Sequence, residues 1–230
     1  MKKMVSLLLA LCLVFALSAS AFAASFPANG FSDVSRSAWY AEAVDFVKAS
    51  GLMKGVGNNR FDPDGTVTRA MVITVLYRLA DKPGVKGVNN PFRDVPDDPG
   101  CWYHDAAIWA AEEGVTNGDG SANTFSPNKA ITREQMASVI VRFLLSQAEL
   151  DAASAQMLKL LDANTASMML KDEFRDASSI SSWASVNVLI CKMTGIMNGD
   201  DAGTFRPQAT LSRAECAQTF LNLYTIGTEG

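Results

Sequence analysis

A single histidine, His104, stands in this chain, and the positions equivalent to it elsewhere hold Ala41 and Ser185. A repeated imidazole chemistry is therefore excluded, and any Ser-His-Asp arrangement would rest on that one ring. It reads as a surface histidine. Cysteine is nearly as scarce. Cys12 lies in the N-terminal apolar run, and Cys101, Cys191 and Cys216 are odd in number with no close pair. Neither a zinc knuckle nor a redox motif nor a disulfide framework is indicated. Cys191 and Cys216 are expected as small buried thiols, with a single bridge between them as the alternative. Basic residues are also in deficit, 20 Lys and Arg against 24 Asp and Glu for a formal charge of -4. Non-specific binding to nucleic acid or to an anionic membrane needs a basic field, so neither is expected.

Long hydrophobic runs are missing after the first residues. Lys2 and Lys3 precede an apolar run from Val5 to Leu17 and then Ser20-Ala21-Phe22-Ala23. This reads as a secretory signal peptide over 1–23, with mature residues starting near Ala24. The run is short for a membrane span, and Cys12 sits inside it rather than behind a lipobox, so neither a span nor a lipid anchor is expected. Losing the two lysines takes the formal charge from -4 to -6. A mature chain with no span of its own stays at the surface only by binding something.

Metal ligands are sparse as well. Asp62-Pro63-Asp64-Gly65 looks like part of an EF-hand loop, but that register puts Arg60 at the first ligand position and Met71 at the last, which leaves too little charge for calcium. Asn117-Gly118-Asp119-Gly120 and Asp200-Asp201 offer at most a weak cation site. No metal and no cofactor is assigned. Spacing alone does not exclude a carboxylate pair among the acids, but nothing else suggests an enzyme.

What the chain does have is repetition. Trp39 and Gly51, Trp102 and Gly114, and Trp183 and Gly195 are each twelve residues apart. Each glycine opens a Gly-x-x-x-Gly segment ending at Gly55, Gly118 or Gly199, and eight residues separate Phe61 from Arg69, Phe125 from Arg133 and Phe205 from Arg213. A Phe-x-Asp element opens each unit: Phe31 to Asp33, Phe92 to Asp94, Phe174 to Asp176. The gap from that Asp to the Trp varies, as a loop would.

Behind each Trp the apolar positions fall at helical spacing: Val44, Phe46, Val47; Ala107, Trp109, Ala110; Val188, Ile190, Cys191. The glycine supplies the left-handed residue that ends this helix. A second helix starts behind Thr68, Thr132 or Ser212, with Gln135 and Glu215 completing capping boxes in the second and third units. Its stripes are Val72, Val75, Leu76, Leu79; Met136, Val139, Ile140, Phe143; Cys216, Thr219, Phe220, Leu223. Turn signals lie between, at Pro63, Pro127 and Pro207. A two-helix unit of this size cannot bury its own apolar face, so the three are expected to share a core. About 21 additional residues between Ser146 and Lys171, free of Gly and Pro, extend the second helix of the second unit or add another.

The ordered set Phe-x-Asp, Trp, Gly-x-x-x-Gly, Phe-x-Pro and Val67-Thr68-Arg69-Ala70-Met71, Ile131-Thr132-Arg133-Glu134-Gln135 or Leu211-Ser212-Arg213-Ala214-Glu215 resembles the S-layer homology (SLH) domain. The resemblance spans nearly the whole mature chain. It implies an all-α domain of three helix-loop-helix repeats in a pseudo-threefold arrangement, to which the repeat spacing adds a helical insert between the second and third. The boundaries expected are a signal peptide at 1–23, a linker at 24–30, repeats at 31–90, 91–145 and 173–226, the insert at 146–172 and a tail at 227–230.

It also implies a secreted protein of the bacterial cell wall or S-layer. Such a protein binds a secondary cell-wall polysaccharide linked to peptidoglycan, commonly one with pyruvylated amino sugars, in grooves between repeats, without altering it. The implied contacts are Arg69, Arg133 and Arg213, with Trp39, Trp102 and Trp183 and the loops of Gly55, Gly118 and Gly199. Each arginine opens a helix, where a cation is unfavourable by roughly 0.3–1 kcal/mol. A guanidinium beside free helix amides would suit a carboxylate. Two other readings stay open. The arginines could instead pair with Asp33, Asp94 and Asp176 as structural groups, and the tryptophans read as core with one edge exposed. The alternative function is a secreted scaffold whose repeats or 146–171 insert bind another surface protein. In the first repeat Met71 stands where the family has glutamate, and in the third Ala184 replaces Tyr40 and Tyr103, so the repeats are expected to be unequal.

Overall fold

The computed structural model describes residues 26–148 and 161–228. The signal-peptide reading at 1–23 and the middle of the insert lie outside them. Seven α-helices follow one another among the described residues: α1 Ala41–Ala49, α2 Arg69–Leu79, α3 His104–Glu112, α4 Arg133–Gln147, α5 Ala163–Glu173, α6 Ser185–Met193 and α7 Arg213–Thr228. A single 3-10 turn, Ala177–Ser179, precedes α6. The protein is all-α, and three helix-loop-helix repeats use α1–α2, α3–α4 and α6–α7, with α5 as the inserted helix. None of these helices is long and apolar enough to cross a membrane.

Local chemistry accounts for the helix ends. Gly51, Gly114 and Gly195 follow the first helix of each repeat at φ 71°, 68° and 76°, a conformation that costs a side-chain-bearing residue about 1–2 kcal/mol. At the second helices, the Thr68 hydroxyl accepts from the Met71 amide, Thr132 and Gln135 close a reciprocal capping box, and Ser212 and Glu215 do the same. Only the first repeat lacks the acid or amide partner.

The described residues fall into two compact units, one within Phe26–Ile131 and Thr210–Gln218, the other within Thr132–Ala209 and Thr219–Gly230. In the first unit Val44, Val47, Val72 and Leu76 are fully buried, and Tyr77 lies against Trp109 with ring centroids 5.6 Å apart. A closed set of three backbone hydrogen bonds joins the repeats there. The Val67 amide donates to Leu211, that of Leu211 to Ile131, and that of Ile131 back to Val67, at 3.0, 3.3 and 3.1 Å. In the second unit Met136, Ile140, Val188 and Cys191 are fully buried, and Ala166 and Leu170 seat the inner face of α5.

Cys101, Cys191 and Cys216 are free thiols. Burial pushes Cys216 up to about 12 and Cys191 further still. Both are packing groups rather than reactive ones. His104 is 9% exposed, with its Nδ1 2.7 Å from the Asp105 carboxylate. The expected surface histidine is in fact packed, because it opens α3 on its buried side.

Candidate inter-repeat binding site

The loop that carries each Phe of the Phe-x-Pro segment is clamped from two directions. Within the repeat, the opening aspartate accepts two consecutive backbone amides: Asp33 from Phe61 and Asp62 at 2.8 Å each, Asp94 from Phe125 and Ser126 at 2.7 Å each, and Asp176 from Phe205 and Arg206 at 2.8 and 2.7 Å. These bonds hold Asp62, Ser126 and Arg206 at φ 60°, 56° and 56°, a left-handed conformation that each residue adopts just before a proline. Burial raises the Asp33 pKa, but the amides of Phe61 and Asp62 outweigh it and leave the carboxyl below its ordinary value. The short approach between the Gly-x-x-x-Gly loop and the Phe-x-Asp ring needs glycine. A Cβ on Gly55, Gly118 or Gly199 would lie 2.6, 2.3 or 2.7 Å from the carbonyl oxygen of Arg60, Thr124 or Thr204.

From outside the repeat, the same loop receives an arginine. Arg69 donates from Nε to the Phe125 carbonyl at 2.8 Å and from Nη2 to Gly118 at 2.7 Å. Arg133 does so to Phe205 and Asn198 at 2.6 and 3.0 Å. Arg213 does so to Phe61 and Lys54 at 2.7 Å each. The guanidinium carbons stand 5.2, 5.0 and 4.5 Å from the ring centroids of Phe125, Phe205 and Phe61. Charge-assisted bonds to carbonyls contribute about 1.5–3 kcal/mol each, and a desolvated cation over a ring adds about 1–2. The three side chains are only 5–7% exposed. Burial draws the pKa of Arg69 and Arg213 downward, with neighbouring carboxylates opposing it.

The helix amides beside these arginines are occupied too. Arg69 and Ala70 donate to Lys129 and Pro127, Arg133 and Glu134 to Ala209 and Pro207, and Arg213 and Ala214 to Gly65 and Pro63, all between 2.8 and 3.1 Å. This corrects one expectation. The helix N-termini are not open anion receptors, because the next repeat's carbonyls already fill them. Nor do the arginines pair with Asp33, Asp94 and Asp176, which are spent on amides. What Arg69 and Arg213 keep is Nη1, which makes no hydrogen bond to the described residues.

The tryptophans differ from the expectation of core packing. Trp39, Trp102 and Trp183 are 64%, 57% and 54% exposed. Each precedes the N-cap of its helix and so lies outside the buried face, which includes Ala41, His104 and Ser185 at the helix starts. Trp39 and Trp102 meet the rings of Tyr40 and Tyr103 edge-on at 5.2 and 5.1 Å. Trp183 has no such partner among the described residues, since Ala184 follows it.

One contact escapes any reading of the sequence alone. Glu134 is 2% exposed and reaches the third repeat, accepting the Ser181 amide, the Ser181 hydroxyl and the Gln208 side-chain amide at 3.0, 2.9 and 2.8 Å. The available signal is an acid in the second repeat where Ala70 and Ala214 stand in the others. Asp119 and Asp200, considered for a weak cation, are occupied by loop donors. Asp119 accepts from Ser121, Thr124 and Ser126, and Asp200 from Ala202 and Thr204.

The S-layer homology domain matches this chain at residues 30–70, 91–137 and 173–217, more than half its length. The Surface-layer 125 kDa protein of Lysinibacillus sphaericus is 30% identical over 89% of this chain and 16% of its own length. Exoglucanase XynX of Acetivibrio thermocellus is 28% identical over 84% of this chain and 16% of its own. S-layer protein sap of Bacillus anthracis is 25% identical over 82% of this chain and 20% of its own. The chain thus spans less than a quarter of the length of these curated relatives. With three matched repeats, the chain belongs to the S-layer homology domain family and is a secreted protein of the cell surface.

Proposed function

We propose that this protein holds itself to the bacterial wall non-covalently, by binding an acidic, pyruvylated polysaccharide linked to peptidoglycan at the junctions between repeats, and that these repeats carry out no chemistry on it. The observation that carries this reading is the threefold recurrence of a solvent-exposed tryptophan, at 54–64% exposure, in a chain of net acidic charge. Exposed indole faces suit sugar rings, and burying one costs little ordering entropy. The proposed contacts are Trp39, Trp102 and Trp183 against sugar, with the unspent Nη1 of Arg69 and Arg213 toward the acid group. Gly55, Gly118 and Gly199 act by letting the loop approach, and Arg133 by fixing it. Weak single sites on one polymer combine through effective concentration.

The test is binding of purified peptidoglycan-linked polysaccharide to the full chain and to Trp102→Ala, before and after mild acid removes the ketal substituents. Loss of about tenfold in affinity for the variant, and a similar loss for the stripped polymer, is expected. Binding indifferent to both changes overturns the reading. A protein-binding role for the insert has one observation behind it, Met168 on α5 at 70% exposure. It would show as polymer-independent capture of a surface protein that Met168→Glu abolishes.

A further inference from the structure

The second repeat departs from the other two at one buried position, and the departure has the form of a ligand. Glu134 is 2% exposed, while its counterparts Ala70 and Ala214 are equally buried but have no side chain to extend across the junction. Its Oε2 accepts the Ser181 amide at 3.0 Å, and its Oε1 accepts the Ser181 hydroxyl at 2.9 Å and Gln208 Nε2 at 2.8 Å. A buried carboxylate is tolerated only when its oxygens are satisfied in this way. Three convergent uncharged donors from the third repeat therefore make a carboxylate receptor two residues before the exposed Trp183. The backbone frame is the same in the other repeats. The Glu134 amide donates to Pro207 as that of Ala70 does to Pro127, and the residue after each proline is Gln208 or Asn128.

We infer that Glu134 is a built-in occupant that closes the junction of the second and third repeats to the acidic group of an external ligand, so that the polymer's acid group is received at the other junctions and Trp183 offers a sugar contact alone. The inference rests on the proposed function for the identity of the excluded ligand, but not for the existence of the receptor. An alanine in place of the glutamate would leave the Ser181 and Gln208 donors unpaired and available to any small carboxylate of the right size.

The experiment uses sodium pyruvate as the probe, with sodium chloride at matched ionic strength as control, on the full chain and on Glu134→Ala. The variant is expected to bind pyruvate at least about tenfold more tightly than the parent, and its thermal midpoint to climb with pyruvate but not with chloride. Adding Ser181→Ala to the variant should cancel the gain. Equal pyruvate binding by parent and variant overturns the inference. Should Glu134→Ala fail to fold in chloride, Glu134→Ser is measured alongside it. Refolding of either in pyruvate alone supports the receptor, and failure of both to respond to pyruvate overturns it. Purified wall polymer separates the two proposals. A parent chain that ignores the polymer strikes the proposed function, whereas the pyruvate comparison decides the receptor by itself.

Discussion

The arginine that opens each second helix is the residue on which the repeats depend, and its role is tied to geometry more than charge. A planar fork meets two carbonyls of another repeat at once, which the point charge of lysine cannot do. Arg69→Lys is therefore expected to leave one of the Phe125 and Gly118 carbonyls unpaired and to cost about 2–4 kcal/mol in urea unfolding. Arg60→Ala, whose side chain is 55% exposed beside Asp33, should cost at most about 1 kcal/mol. Equal losses would show that charge, not the fork, matters. The aspartate on the other side of the loop sets a pH dependence. Asp33 is held below its ordinary 3.8 in the folded chain. A depressed carboxylate contributes stability that is present above the unfolded value and is lost as pH falls through the folded one. Stability should thus be flat above about pH 5 and decline below about pH 4, and Asp33→Asn should reduce the steepness of that decline. Unchanged steepness in the variant would assign the acid sensitivity elsewhere.

The elements were legible in the sequence wherever their cause is local. Thr68, Thr132 and Ser212 as caps, Gly51, Gly114 and Gly195 as stops, and the stripes from Val44 to Val47 and from Met136 to Phe143 each depend on neighbours within a few residues, so spacing alone located them. What the arginines touch was not legible. Arg213 meets Phe61 and Lys54 across more than 150 residues, and no local pattern encodes a carbonyl that far away. An aromatic at the start of an amphipathic helix reads as core with one edge exposed, but Trp39, Trp102 and Trp183 each stand one residue before the N-cap, outside the buried face. The glycines show how two identical residues in one segment do different work. Gly114 has φ 68° and open space where a Cβ would stand, whereas at Gly118, with φ 87°, a Cβ would meet the Thr124 carbonyl oxygen at 2.3 Å. Gly114→Ala should cost about 1 kcal/mol, the conformational penalty alone. Gly118→Ala should cost about 3 kcal/mol or more, since strain and overlap add. Chemical denaturation of the pair decides it, and equal costs would mean that the loop yields at Thr124.

In the whole molecule the order of donors and acceptors is cyclic. The first repeat's arginine is received by the second, the second's by the third, and the third's by the first. An open solenoid tolerates loss of its last repeat, because each unit contacts only its neighbours in sequence and stability adds along the array. A cyclic set of latches has no last member. Removing residues 210–230 strips Val67 and Ile131 of their Leu211 partners, Gly65 and Pro63 of the Arg213 and Ala214 amides, and Phe61 and Lys54 of the guanidinium. Each backbone group left without a partner and away from water costs about 1–3 kcal/mol, and a whole domain has only about 5–15 kcal/mol to lose. The truncated chain is therefore expected to lose the first repeat along with the third, although every residue of the first is retained. Amide dispersion in a proton–nitrogen spectrum reads this directly. Collapse of the Val44, Val72 and Leu76 signals into the unfolded range is the expected result. Native-like dispersion of those signals in the truncated chain would show that the repeats stand as an open array and that the cyclic latching is dispensable.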